Sequence, residues 1–82
     1  MTPRIRRLSG RDVVRTLGHF GFALARTRGT HGTLVRTTAA GERQVLTVPL
    51  HKELATGTLH AIYRQASRFV DAADLRPHFF SD

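Results

Sequence analysis

A chain of 82 residues with 40% hydrophobic content has apolar side chains enough for one core and too few for two, so one globular domain over 1–82 is expected. The absence of cysteine excludes disulfides, thiolate metal sites and cysteine nucleophiles together. The formal charge of +7 is carried almost wholly by arginine and is uneven: nine arginines meet only Asp12 and Glu42 up to Arg43, and beyond it four cations meet four acids. Such a field suits nucleic acid or an acidic protein, and equally a plain solvated surface.

In chain order, residues 1–8 read as a basic, loosely held arm. No apolar core follows its charges, so it is not a secretion signal. No apolar run approaches the ~18 residues that span a bilayer, and a cytoplasmic protein without membrane association is expected. Ser9-Gly10-Arg11-Asp12 has the form of a capping box, in which the Ser9 hydroxyl accepts from the Asp12 amide. Leu8 before the cap can staple to Val13, and Val13, Val14, Leu17 and Phe20 follow helical spacing. With Gly21 as the stop, the first helix is predicted over Gly10–Phe20.

Residues 22–28 alternate as a strand, with Phe22 and Leu24 on one face. Gly29 turns the chain into a second strand, His31 to Thr37, and residues 38–42 turn it into a third, Arg43 to Leu50, ended by Pro49. Connections this short demand antiparallel hairpins. A second helix begins at Thr56-Gly57-Thr58-Leu59, with Leu59, Ile62, Tyr63 and Ala66 at helical spacing. Ser67 is expected to break it and cap a short third helix, Phe69 to Leu75, and the tail 77–82 presents Phe79 and Phe80 either to the core or to a partner. The fold class is therefore α+β: α-β-β-β-α, a three-stranded antiparallel sheet with its helices packed on one face.

The chemistry available is narrow. His19, His31, His51, His60 and His78 form no H-x-x-x-H pair on a helix and have no carboxylate at a matching offset, so no metal site and no cofactor is expected. His51 after Pro49 reads either as an RNA contact or acid–base partner, or as a loop residue bracing the second helix. Lys52 beside it suits a phosphate. Tyr63 and Phe69 could stack on bases, but their spacing favours the core.

Three stretches together resemble one family. The run from Gly21 to His31 (GFALARTRGTH) resembles the G-F-x-L-x-R-x-x-G-[ST]-H segment of HicA toxins. Val48 to Ala66 is similar to their V-P-x-H…E-L-x-x-G-T-L-x-x-I-x-R-Q-A, and Leu8 to Val13 to their L-S-G-[KR]-[DE]-[VL] opening. The resemblance covers residues 8 to 75, with the segments in the right order. It implies a fold like the double-stranded-RNA-binding domain and an mRNA-cleaving endoribonuclease that needs no metal. It also implies a toxin neutralised by a HicB-like antitoxin.

His31 takes the family's catalytic position. RNA cleavage needs a base for the 2′-hydroxyl or an acid for the leaving 5′-oxygen, and imidazole can be either near neutral pH. Arg26, Arg28, Thr30, Arg36, His51 and Lys52 are the expected RNA-binding residues, the arginines on strands adjoining His31. If Leu34 points to the core, alternation turns His31, Thr33 and Val35 to solvent. Many members follow the histidine with another histidine or an aromatic; Gly32 stands there in this chain, and a bulge or softened strand is expected at it. Two rival functions use the same basic face: a non-catalytic RNA-binding module, for which an imidazole at position 31 is superfluous, and an adaptor that grips an acidic protein and has no RNA affinity.

Overall fold

The computed structural model describes residues 3–81. The order is β1 (Arg4–Ile5), α1 (Gly10–Gly18), β2 (Ala23–Arg28), β3 (His31–Thr37), β4 (Arg43–Pro49), α2 (Thr56–Ala66), α3 (Ala72–Phe79) and β5 (Phe80–Ser81). β2, β3 and β4 form one antiparallel sheet in that order. The central order α1-β2-β3-β4-α2 is the expected one and is that of the double-stranded-RNA-binding fold. No helix among the described residues is long and apolar enough to cross a membrane.

The capping box forms as the residue types dictate. Asp12 donates its amide to Ser9 Oγ at 3.0 Å, and the Ser9 amide donates to Asp12 Oδ2 at 2.9 Å. The Ser9 amide, then the Ser9 hydroxyl, holds the Asp12 carboxyl below the usual carboxylate range. A group with a depressed folded pKa contributes stability above its unfolded pKa and loses it as pH falls through the folded value. Melting followed from neutral to acid pH is expected to show this: an Asp12→Asn variant lacks the part of the wild-type decline that lies below the ordinary carboxylate range. Ser9→Ala, which removes the cap at all pH values, costs about 1 kcal/mol.

The start of α1 is seated against the end of β4. The Gly10 amide donates to the His51 carbonyl at 2.9 Å. A Cβ at Gly10 would fall on the Pro49 carbonyl and the Leu50 Cα, so only glycine allows this approach.

Alternation along the sheet makes one core. Leu34, Leu46 and Val48 point inward and are buried with Val13 and Leu17 of α1 and Leu59, Ile62 and Ala66 of α2. Both helices therefore cover the same face, and the opposite face is bare. The two-residue turn Gly29-Thr30 closes the first hairpin, with Arg28 paired to His31; Gly29 has φ +59°, which a side chain would oppose.

Three expectations are corrected. The bulge is in β2, where Ala25 is the extra residue between the pairs Leu24↔Leu34 and Arg26↔Thr33, and β3 pairs with β4 without interruption. Gly32 faces inward and is buried, and a Cβ there would press on Leu24 and Leu50 side chains. Residues 1–2 of the arm lie outside the described residues; the rest of it is held rather than loose: β1 pairs antiparallel with β5, and Arg6 donates its amide to the Phe79 carbonyl at 2.8 Å. Both tail aromatics turn back, Phe79 into the core and Phe80 half-buried, each stacked against Tyr63 at 5.5 and 5.1 Å between ring centres. The third helix starts later than predicted because Asp71, not Ser67, caps it, accepting from the Ala73 amide at 2.9 Å. Ser67 instead closes α2, donating its hydroxyl to the Tyr63 carbonyl.

Candidate active site

The bare face of the sheet gathers the candidate residues at one end. His31 is exposed and opens β3. Arg28 is directly opposite it on β2 and Pro49 directly opposite it on β4. Arg26, paired with Thr33, is on the same face one step along. Cross-strand neighbours of this kind have Cβ atoms about 5 Å apart and diagonal ones about 7–8 Å, within reach of an arginine side chain.

The bulge at Ala25 is what brings the arginines there. In an unbroken strand Phe22, Leu24, Arg26 and Arg28 share parity, and the arginines would lie with the leucines on the core side. One extra residue reverses the parity beyond Leu24, which stays inward over Gly32 while Arg26 and Arg28 turn out.

Thr30 is exposed in the turn before His31, and its carbonyl accepts from the Leu50 amide, tying the head of β3 to the segment that leads to His51 and Lys52. Both of those side chains are exposed. The His51 carbonyl is committed to the Gly10 amide, so its backbone braces α1 rather than the second helix.

Arg36 departs from expectation. It faces inward with Leu34, on the side of the sheet away from His31. Its Nε donates to Gln44 Oε1 at 2.8 Å, Nη1 to the Phe20 carbonyl at 2.9 Å and Nη2 to the Phe69 carbonyl at 2.7 Å. The guanidinium also lies over the Phe22 ring, 4.9 Å from its centre. It ties the end of α1 to the loop after α2, with all three of its nitrogens bonded within the chain on the side away from His31. Alternation was the available signal: Leu34 and Arg36 share parity.

The molecule is a basic α+β domain whose main sheet is covered by helices on one face and carries a histidine and two arginines on the other. The family model described as HicA toxin of bacterial toxin–antitoxin systems matches residues 10–67, from the start of α1 to the end of α2. The chain belongs to the HicA toxin family and is thereby the toxin of a toxin–antitoxin pair with a cognate antitoxin. No curated protein and no solved structure shows significant similarity to it.

Proposed function

We propose that the chain is an endoribonuclease that cleaves mRNA at His31 without a metal and is neutralised by a HicB-like antitoxin. One observation carries this reading: in a member of a toxin family, an exposed histidine opens β3 with Arg28 directly opposite and Arg26 beside it on the same bare face. Balanced RNA cleavage follows from such a set. The 2′-oxygen attacks the adjacent phosphorus as its proton is taken up, and the bond to the 5′-oxygen breaks as that oxygen gains a proton. The products are a 2′,3′-cyclic phosphate and a 5′-hydroxyl. His31 performs one of the two proton transfers, and Arg26 and Arg28 neutralise charge growing on the phosphoryl oxygens. Thr30, His51 and Lys52, exposed on the adjoining turn and loop, extend the RNA contact.

Incubation of the purified chain with end-labelled mRNA and a chelator is expected to release fragments ending in cyclic phosphate. Binding without fragments identifies an RNA-binding module instead. RNA affinity should fall steeply with salt, since each neutralised phosphate adds about 0.7–0.9 to the log–log slope. Arg26→Glu with Arg28→Glu should flatten that slope and leave the melting temperature almost unchanged, because both side chains are exposed. A flat wild-type response points to the adaptor. The neutralising partner is expected to be acidic and to cover His31, captured rapidly through the +7 field.

A further inference from the structure

We propose that the free edge of β4 is a strand-addition site for an extended, acidic segment of a protein partner. The surface is separate from the bare face and does not depend on His31 being catalytic. The sheet has two edges, β2 and β4. β2 is blunted by its bulge, the usual device against pairing with other chains. β4 runs seven residues in unbroken register with β3.

The register shows which backbone groups the edge offers. The Leu50 amide donates to the Thr30 carbonyl, in step with the His31↔Pro49 pair. Hydrogen-bonded pairs alternate in an antiparallel ladder, so Gln44, Leu46 and Val48 bond to β3. The amides and carbonyls of Arg43, Val45 and Thr47 then point to the open edge. Pro49 has the same parity and no N–H, which places its missing donor on the open side and ends the pairing surface there.

Beside this edge runs a groove of about 440 Å³ between β4 and α2. Leu46, Ala61 and Phe69 supply its apolar part, and Arg64 and Arg68 its rim. Val45 borders it with its backbone, turns its side chain to the bare face with Val35, and is 47% exposed, one of two large hydrophobic residues left so open among the described residues. Among the described residues the one ion pair is Arg15–Asp12, and none of their acidic side chains pairs with Arg64 or Arg68. An edge beside a helix-walled groove is the geometry of β-augmentation: main-chain bonds supply affinity, and alternate side chains enter the groove. Alternate residues of the added strand face the groove, so an apolar residue and an acidic one two positions apart would meet its apolar part and its arginine rim. An added strand lies about 10 Å from β3, two strand spacings away, so a partner anchored there has its bulk beside His31.

The test uses the intact chain and a fluorescein-labelled, end-blocked octapeptide that alternates threonine with valine or glutamate, so that its valines and glutamates share one strand face. Hydrogen exchange followed by NMR should show the Val45 and Thr47 amides, open in the free chain, becoming protected by the peptide. Arg64→Glu with Arg68→Glu should weaken peptide binding roughly tenfold or more, as expected for lost charge-assisted hydrogen bonds. Val45→Pro, which removes an outward amide without touching the β3 ladder, should do the same at an unchanged melting temperature. Replacing glutamate by lysine in the peptide should abolish binding. Unprotected Val45 and Thr47 amides with peptide bound, or protection on β2 instead, overturn the proposal. So does an oligouridylate of eight nucleotides whose affinity, rather than the peptide's, falls on reversal of Arg64 and Arg68, since the rim is then an RNA site.

Discussion

His31→Ala is expected to abolish RNA cleavage while leaving the fold and RNA affinity almost intact. Loss of a general acid–base group costs about 10²–10⁴ in rate. The residues around His31 provide no substitute: a guanidinium has donors but no acceptor site, and Pro49 and Thr33 do not exchange protons usefully. His51, two residues beyond Pro49, is the next imidazole along the chain. His31 is exposed at a strand end, and the backbone pairing with Arg28 survives truncation of its side chain, so the melting temperature should move little. The measurement is single-turnover cleavage of a labelled RNA by both proteins with chelator present, beside a binding isotherm and a thermal melt. Cleavage by the alanine variant at the wild-type rate removes His31 from the reaction and directs attention to His51. A large fall in melting temperature makes the histidine structural.

Arg36→Ala is expected to have the opposite profile, a stability loss of about 3 kcal/mol or more. Charged hydrogen bonds contribute about 1.5–3 kcal/mol each, and truncation leaves the Phe20 and Phe69 carbonyls and the buried Gln44 amide without their shared donor. In a domain of this size each kcal/mol lowers the melting midpoint by roughly 4–8 °C, so the fall should exceed about 12 °C. Arg36→Lys should recover little, because an ammonium cannot reach three acceptors set out for a planar fork or lie flat on Phe22. The same melts on Arg28→Ala should show almost no shift. Salt titration of RNA binding separates the two arginines independently: Arg28→Ala lowers the slope by the share of one phosphate, and Arg36→Ala, measured well below its melting point, leaves it unchanged.

Much of the architecture was legible because local rules pointed one way. The capping box, the helical spacing of Val13 and Leu17 and the short connections 29–30 and 38–42 leave an antiparallel meander with a helix at each end as the simplest solution. Leu34 inward places His31 outward by parity alone. The sequence also contains the motifs of the family: the segment ending at His31 and the one beginning at Val48. The misjudged positions are those where a long-range contact outweighs a local signal. Ser67 is as good a cap as Asp71 by residue type, but its hydroxyl donates back to Tyr63 and ends a helix instead of starting one. The arm reads as loose because it has no partner nearby in sequence; Arg4, Ile5 and Arg6 meet the tail, more than 70 residues away.

What the sequence determines by itself is therefore the order of the elements from α1 to α2, the covered face of the sheet and the histidine on the bare one, since each depends on periodicity within a single element; β1 and β5 escape it because their pairing is long-range. Only the tertiary structure decides the company His31 keeps. One extra residue at Ala25 reverses the parity of β2 and delivers Arg26 and Arg28 to its face; Arg36 is turned inward by parity already, and the fold supplies the Gln44, Phe20 and Phe69 acceptors that hold it there half-buried. The bulged residue, Ala25, has nothing in its type that marks it as the unpaired one, so no residue announces the bulge. It is selected by the whole sheet, in which Leu24 must cover Gly32 while two guanidinium groups stay in water.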